Sequence, residues 1–242
     1  MRRQMARDLS RRSTDPELMD AHDVDYQTFR GCLRDLARVN RLSLGYRPTL
    51  SFLDALRQAG RLPPDRPLRI LDVGSGYGDL LRAVEGWAAR KGVAVELTGL
   101  DLSPWSARAA QEARPDAAIR WQTGDVFDHP GRADVIVSSL FTHHLADADV
   151  IRFLRRMEDR AAIGWFVNDL HRHPVSHRGF GPLAAALRLH PFVRHDGPVS
   201  IARSFVAEDW QALVRAAGIP PEGVQIRRWF PFRLCVSRIR PG

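Results

Sequence analysis

Lysine is all but missing from this chain: Lys91 is the single one among 36 basic residues, and the other 35 are arginine. Cysteine is nearly as scarce. Cys32 and Cys235 stand toward opposite ends with no CxxC spacing, which excludes a disulfide framework and a cysteine-built zinc site and fits a reducing, cytoplasmic setting. No run of about 18 apolar residues occurs, so a membrane span is not expected. The start, MRRQMARDLSRR, is basic but lacks the apolar stretch of a signal peptide, and export by that route is not expected either. What the chain does have is 44% hydrophobic and 26% charged residues over 242 positions. That is enough for one sizeable core and excludes disorder for most of its length.

The formal charge is +8. Arginine grips phosphates and carboxylates with two donors, so nucleic acid or an anionic membrane surface would suit such a chain. The arginines are scattered along the sequence, however, and do not form a stripe interleaved with aromatics. Nucleic acid is therefore not the expected partner.

Residues 1–14 carry five arginines and little apolar periodicity and read as a flexible basic leader. Residues 15–60 place Phe29, Leu33, Leu36, Val39, Leu50, Leu53 and Leu56 at helical spacing, which predicts two or three amphipathic helices. Three prolines in RLPPDRP, 61–67, end this section. The period then changes. Short β-branched runs at 68–73, 93–101, 118–121, 133–139 and 161–170 alternate with helical stretches at 77–91, from Pro104, and at 147–158. Two last strand-like runs, GVQIRRWF and FRLCVSRI, follow a helix at 207–218. The expected architecture is α/β: a doubly wound, seven-stranded, mostly parallel sheet spanning 61–242. An insertion at 171–206, before strand six, is expected to carry one helix.

The first strand runs into Asp72-Val73-Gly74-Ser75-Gly76-Tyr77-Gly78-Asp79, a glycine-rich turn at the place where doubly wound sheets bind nucleotide-like ligands. Asp101 ends strand two, where a carboxylate can accept hydrogen bonds from both hydroxyls of a ribose. A dinucleotide would need its pyrophosphate at this helix start, yet Asp79 occupies the third-glycine position of the G-x-G-x-x-G fingerprint and would repel it. Asp72 disfavours it further. A ligand with positive charge near the loop fits better, and S-adenosylmethionine carries an ammonium and a sulfonium.

LDVGSGYG, then TGLDLSP, then TGDVF at 123–127 resemble the class I S-adenosylmethionine-dependent methyltransferases, over roughly residues 68–242. The resemblance implies a Rossmann-like fold with S-adenosylmethionine as cofactor and a substrate lid made of the N-terminal helical section, 15–60, and the insertion at 171–206. It implies that Gly74, Ser75 and Gly76 line the methionine portion and that Asp72 meets the ammonium. Asp101 would hold the ribose, with Leu102 beside the adenine. Gly124, Asp125 and Val126 would lie at the adenine's exocyclic amine, and Ser139 at the end of strand four.

In that family the end of strand four faces the transferring methyl group, and here it reads SSLFTHHLAD. His143 and His144 are the candidate general bases, His144 preferred for its place before Leu145. A phenol, with a pKa of about 10, is within reach of a neutral histidine, and an aliphatic alcohol is much harder to deprotonate. Phe141, Tyr46, His171 and Arg172 are candidate acceptor-binding residues. His171, His173 and His177 lie close in sequence, but no carboxylate stands at ligand spacing among them, and no metal is expected. Stretches such as CLRDLARVNRLSLGYRPTL, THHL, NDLHR and RRWFPFR are similar to a bacterial subgroup of small-molecule O-methyltransferases associated with type III polyketide synthases. This implies a phenolic or quinone-like acceptor in secondary metabolism. The basic leader would then rest on an anionic membrane surface, and the enzyme would be a monomer or homodimer. C-methylation of a similar ring, an RNA methyltransferase, a protein methyltransferase and a non-catalytic cofactor-binding partner are the competing readings.

Overall fold

The computed structural model of the chain describes residues 8–21 and 24–241. Seven strands, β1 (Leu68–Val73), β2 (Val95–Asp101), β3 (Ile119–Thr123), β4 (Ala133–Ser139), β5 (Ala161–Leu170), β6 (Val224–Trp229) and β7 (Arg233–Ile239), form one sheet. Its order is β3-β2-β1-β4-β5-β7-β6. All pairings are parallel except those of β7, which runs antiparallel to both β5 and β6. The Rossmann-like, doubly wound architecture expected from the alternating pattern is thus present. Strand order reverses between β1 and β4, and the crevice beyond their carboxyl ends is where such a sheet can receive a ligand.

The strands are continuous apolar runs because both faces are covered. On one face Leu71, Val73, Ile136, Trp165 and Val167 pack with α5 (Asp147–Arg160) and α8 (Ala207–Ala216), through Phe153, Leu154, Trp210 and Leu213. On the other, Leu68, Ile70, Val135, Val137 and Phe166 meet α2 (Arg47–Gln58) and α3 (Asp79–Lys91). Residues two apart on a strand share a face, so Asp72 points with Ile70 toward α2 and α3, and Asp169 points with Val167 toward α5.

Three differences from the sequence expectation bear on the site. The helix expected from Tyr77 begins at Asp79, because Gly78 has φ +72° and the turn continues through it. The insertion carries two helices, α6 (Pro174–Ala186) and α7 (Pro191–Arg203), each with an internal proline. They share a small apolar cluster with α1 (Tyr26–Leu42), built on Cys32, Ala184, Leu189 and Val193. Finally, α2 belongs to the sheet's covering layer, so within 15–60 only α1 and the segment before it are left for the expected lid. The remaining helix, α4 (Pro104–Ala113), meets α1 through Tyr26, Leu33 and Ala109.

The expected leader is only partly open to description, since residues 1–7 lie outside the described residues. From Leu9 onward it is docked. Arg12 donates to the carbonyls of Arg203 and Leu145, pairs with Asp147, and lies 4.1 Å above the Phe205 ring. That arginine is occupied within the fold and is not available to a membrane. Among the described residues no helix is long and apolar enough to cross one.

Asp134, fully buried at the start of β4, anchors the linker. It accepts two hydrogen bonds from Arg66, at 2.6 and 2.8 Å, and one from the Arg69 backbone at 2.9 Å. Burial pushes its carboxyl up, but Arg66 and Arg69 outweigh this and hold it at about 2. A carboxylate whose pKa is depressed on folding stabilises fully above the unfolded chain's value of about 3.9 and loses that contribution as pH falls through the folded value. We expect Asp134→Asn to reduce the unfolding free energy by about 1–2 kcal/mol at pH 7, allowing for the half-exposed guanidinium groups. In urea titrations the gap between the two proteins should close between about pH 4 and pH 2.

Candidate active site

The carboxyl edge of the sheet places the glycine loop and the strand-four turn side by side. In the loop Gly74 has φ +72°. A side chain there would meet Phe141 at 2.8 Å, and one at Gly78 would meet Trp121 at 2.2 Å. Both positions therefore need glycine for conformation and for space. Asp101 shapes the loop from β2: one carboxylate oxygen accepts from the Gly76 N–H at 2.8 Å and the other from the Ser103 N–H at 2.9 Å. Each oxygen keeps a second lone pair for a ligand. Asp72 is buried, and its Oδ1 has no hydrogen-bond partner. Burial, then the charges of Asp79 and Asp101, push its carboxyl well above the ordinary range. A buried acid of this kind is relieved by a cation, and the ammonium of S-adenosylmethionine fits that need.

Asp79, read from sequence as a barrier to pyrophosphate, also joins loop to lid. It accepts from the Tyr46 hydroxyl at 2.8 Å and from Asn40 at 3.2 Å. Asn40 in turn accepts from buried Arg233 at 2.7 Å. Tyr46 was expected at the acceptor; its hydroxyl is instead committed to Asp79 and the Ala37 carbonyl. Leu33 of α1 lies over the loop, 3.6 Å from where a Gly76 side chain would start.

Phe141 links the loop to the histidines. It lies against Gly74 and meets Phe153 edge-on at 5.3 Å, and the 3-10 turn Thr142–His144 follows directly. Asp169, at the end of neighbouring β5, gathers that turn. It accepts from Thr142 Oγ1, from the His143 N–H at 3.0 Å, from His143 Nδ1 at 2.7 Å and from the Leu170 N–H at 2.7 Å. Burial alone would raise its carboxyl; His143 and these donors hold it well below the carboxylate range. With Nδ1 donating to Asp169, the neutral His143 ring presents a lone pair at Nε2.

The segment before α1 supplies the opposite wall. Glu17 is buried and places Oε1 3.8 Å from His143 Nε2 and Oε2 4.0 Å from His144 Nε2. His144, partly exposed, meets Asp20 through Nδ1 at 3.2 Å. Burial lowers its pKa, but Asp20 and Glu17 raise it more. Arg203 donates to the His143 and His144 carbonyls at 3.1 and 2.9 Å and fixes the turn from α7. The oriented, buried imidazole is thus His143, whereas the sequence favoured His144. Asp169 stood in the sequence only as part of the NDLHR stretch. Glu17 carried no local signal.

Other expected residues fall elsewhere. Arg172 is not free for an acceptor: it is buried, donating to the Leu9 and Ser204 carbonyls and to Asp209. His171 is buried, held by its N–H to the Phe232 carbonyl. Burial lowers its pKa, with Arg228 adding to the effect. Val126 packs in the core beside Leu71, Val73 and Leu100. Leu102 is exposed, and Gly124 donates to the Asp101 carbonyl. Asp125 accepts from the Phe127 N–H at 2.8 Å, which leaves its other oxygen available. Ser139 lies half-buried opposite Asn168, while neighbouring Ser138 donates to the Val73 carbonyl.

Residues 70–163 match the family model described as a methyltransferase domain. No curated protein matches the sequence. Among solved structures the chain is similar to human N-acetylserotonin methyltransferase in complex with S-adenosylmethionine, with a TM-score of 0.63 and 16% identity over 90% of this chain and 57% of that one. It is also similar to the plantazolicin methyltransferase, with a TM-score of 0.63 and 14% identity over 90% and 97% of the two chains. The magnesium protoporphyrin IX methyltransferase of Synechocystis PCC 6803 follows at 0.54 and 18%, over 82% and 84%. At these identities the shared feature is the fold.

Proposed function

We propose that the protein transfers a methyl group from S-adenosylmethionine to a hydroxyl of a small hydrophobic acceptor, most readily a phenol or quinol. The observation that carries this reading is the Asp169–His143 pair, oriented at 2.7 Å and set beside the glycine loop through Phe141. S-adenosylmethionine is the cofactor, and when bound it supplies an electrophilic methyl on a sulfonium. Asp72, Gly74, Ser75 and Gly76 hold its amino-acid end, and Asp101 holds the ribose. Asp125 faces the base. His143 Nε2 takes the acceptor's proton as the new oxygen–carbon bond forms, and Asp169 stabilises the imidazolium that results. His144 and Glu17 shape the entrance. A phenolic hydroxyl suits this base because its pKa lies within about 3–4 units of imidazole's. The helices α1, α6 and α7 carry partly buried apolar residues, Phe29, Phe180 and Phe192 among them, and this favours an apolar acceptor over an extended polar peptide.

A methyl-transfer screen over alkylresorcinols, hydroxyquinones, simple phenols and bulk tRNA tests the reading. Turnover on a phenolic compound is the expected result. Turnover confined to tRNA, or methylation at ring carbon only, overturns the hydroxyl assignment.

A further inference from the structure

Three groups able to bind a cation converge on the N-terminal side of the candidate site. His143 donates through Nδ1 to Asp169, which leaves the Nε2 lone pair facing Glu17. His144 meets Asp20 through Nδ1, which leaves its own Nε2 facing the same carboxylate. The two rings stand 4.3 Å apart. The Glu17 side chain is only 5% exposed, and its Oε1 has no hydrogen-bond partner. A buried carboxylate oxygen without a hydrogen-bond partner is costly unless a positive charge sits beside it.

The charge balance points the same way. Glu17, Asp20 and Asp169 bring three carboxylates to the cluster. Arg203 is the facing cation, with Nε 3.9 Å from Glu17 and a terminal nitrogen 3.8 Å from Asp20, but its hydrogen bonds go to backbone carbonyls. Arg12 is taken up by Asp147. The three carboxylates thus outnumber the one arginine that faces them, and a bound cation would offset the excess.

We propose that Glu17, His143 and His144 form a binding site for one divalent transition-metal ion, zinc best matching two imidazoles and a carboxylate. The ligand atoms of all three residues lie within 4.8 Å of one another. Bonds of about 2.1 Å in tetrahedral geometry set neighbouring ligand atoms about 3.4 Å apart, so side-chain adjustments of about an ångström draw the three onto one ion. Asp169 and Asp20, on the far nitrogens, supply the outer carboxylates that fix each ring with its lone pair inward. The histidines grouped in sequence, His171, His173 and His177, form no such cluster among the described residues.

An ion on His143 Nε2 occupies the lone pair that takes the acceptor's proton. Zinc is therefore expected to inhibit methyl transfer, reversibly with a chelator. This consequence rests on the base role proposed above; the binding itself does not.

The test is calorimetric titration of the full chain with zinc chloride after chelator treatment, with cobalt(II) as a spectroscopic probe. We expect one zinc per chain and the intense visible absorption of four-coordinate cobalt. Glu17→Gln and His144→Ala are each expected to weaken zinc at least tenfold and to abolish that absorption, and His173→Ala to leave both unchanged. His144 is partly exposed, so its variant reads out the site even where a change at buried Glu17 impairs folding. No uptake of either ion, or uptake indifferent to both substitutions, overturns the site and leaves the base role standing. Zinc-loaded protein with full methyl transfer overturns the base role and leaves the site standing.

Discussion

His143→Asn is expected to lower turnover of a phenolic acceptor by about 10²–10⁴-fold, the usual worth of a positioned general base. Affinity for S-adenosylmethionine should stay within a few fold. Asparagine is the informative replacement because its amide nitrogen takes up roughly the place of Nδ1. The hydrogen bond to Asp169 is kept, while the Nε2 lone pair is lost. Alanine would leave a buried carboxylate short of a donor, and a fall in activity could then come from unfolding. The separation of kcat from cofactor binding, read by steady-state kinetics and calorimetry on one preparation, makes the result specific. If His143→Asn retains full activity while His144→Ala loses it, the base is His144 and the sequence preference was right.

Asp101→Ala is expected to weaken S-adenosylmethionine by about 10²-fold or more, since hydrogen bonds to an ionised carboxylate contribute about 1.5–3 kcal/mol each. Two effects add. The ribose hydroxyls lose their acceptor, and the Gly76 N–H loses the 2.8 Å bond that draws the loop toward β2. The fold itself should survive, because Asp101 is half-buried at a strand end and the strand pairing does not depend on its side chain. Calorimetric titration with the cofactor, beside a thermal melt of the unliganded variant, separates the two. An unchanged dissociation constant would mean that the ribose carboxylate lies elsewhere.

The sheet was legible in the sequence because buried parallel strands are continuous apolar runs between breakers: β1, β4 and β5 begin and end where LRILDV, ADVIVSS and AAIGWFVNDL do. The insertion was less legible. Pro182 and Pro198 sit inside α6 and α7, and the glycines around them weaken the helical period, so two helices read as one. The same divide runs through the site. The glycine loop is local chemistry, and Gly74, Gly76 and Asp101 stand where a strand-to-helix turn requires them. The His143–Asp169 pair joins the ends of two strands, and it becomes visible only once β4 and β5 are known to be neighbours with Ser139 opposite Asn168. Glu17 belongs to a segment whose path is set by tertiary docking alone, through Arg203 and Asp196, which accepts from the Leu18 and Met19 N–H groups. No spacing rule reaches it.

That docking has a consequence for the order in which the protein is made. Asp15 is held by Arg203, a partner 188 residues later in the chain, and Arg12 is held by the Arg203 carbonyl and stacks on Phe205. At about 5–20 residues per second, the early segment leaves the ribosome roughly 10–40 s before the residues that secure it. The wall that faces His143 is thus among the first pieces synthesised and among the last to settle, and the newborn chain completes its chemistry only after α7 has emerged.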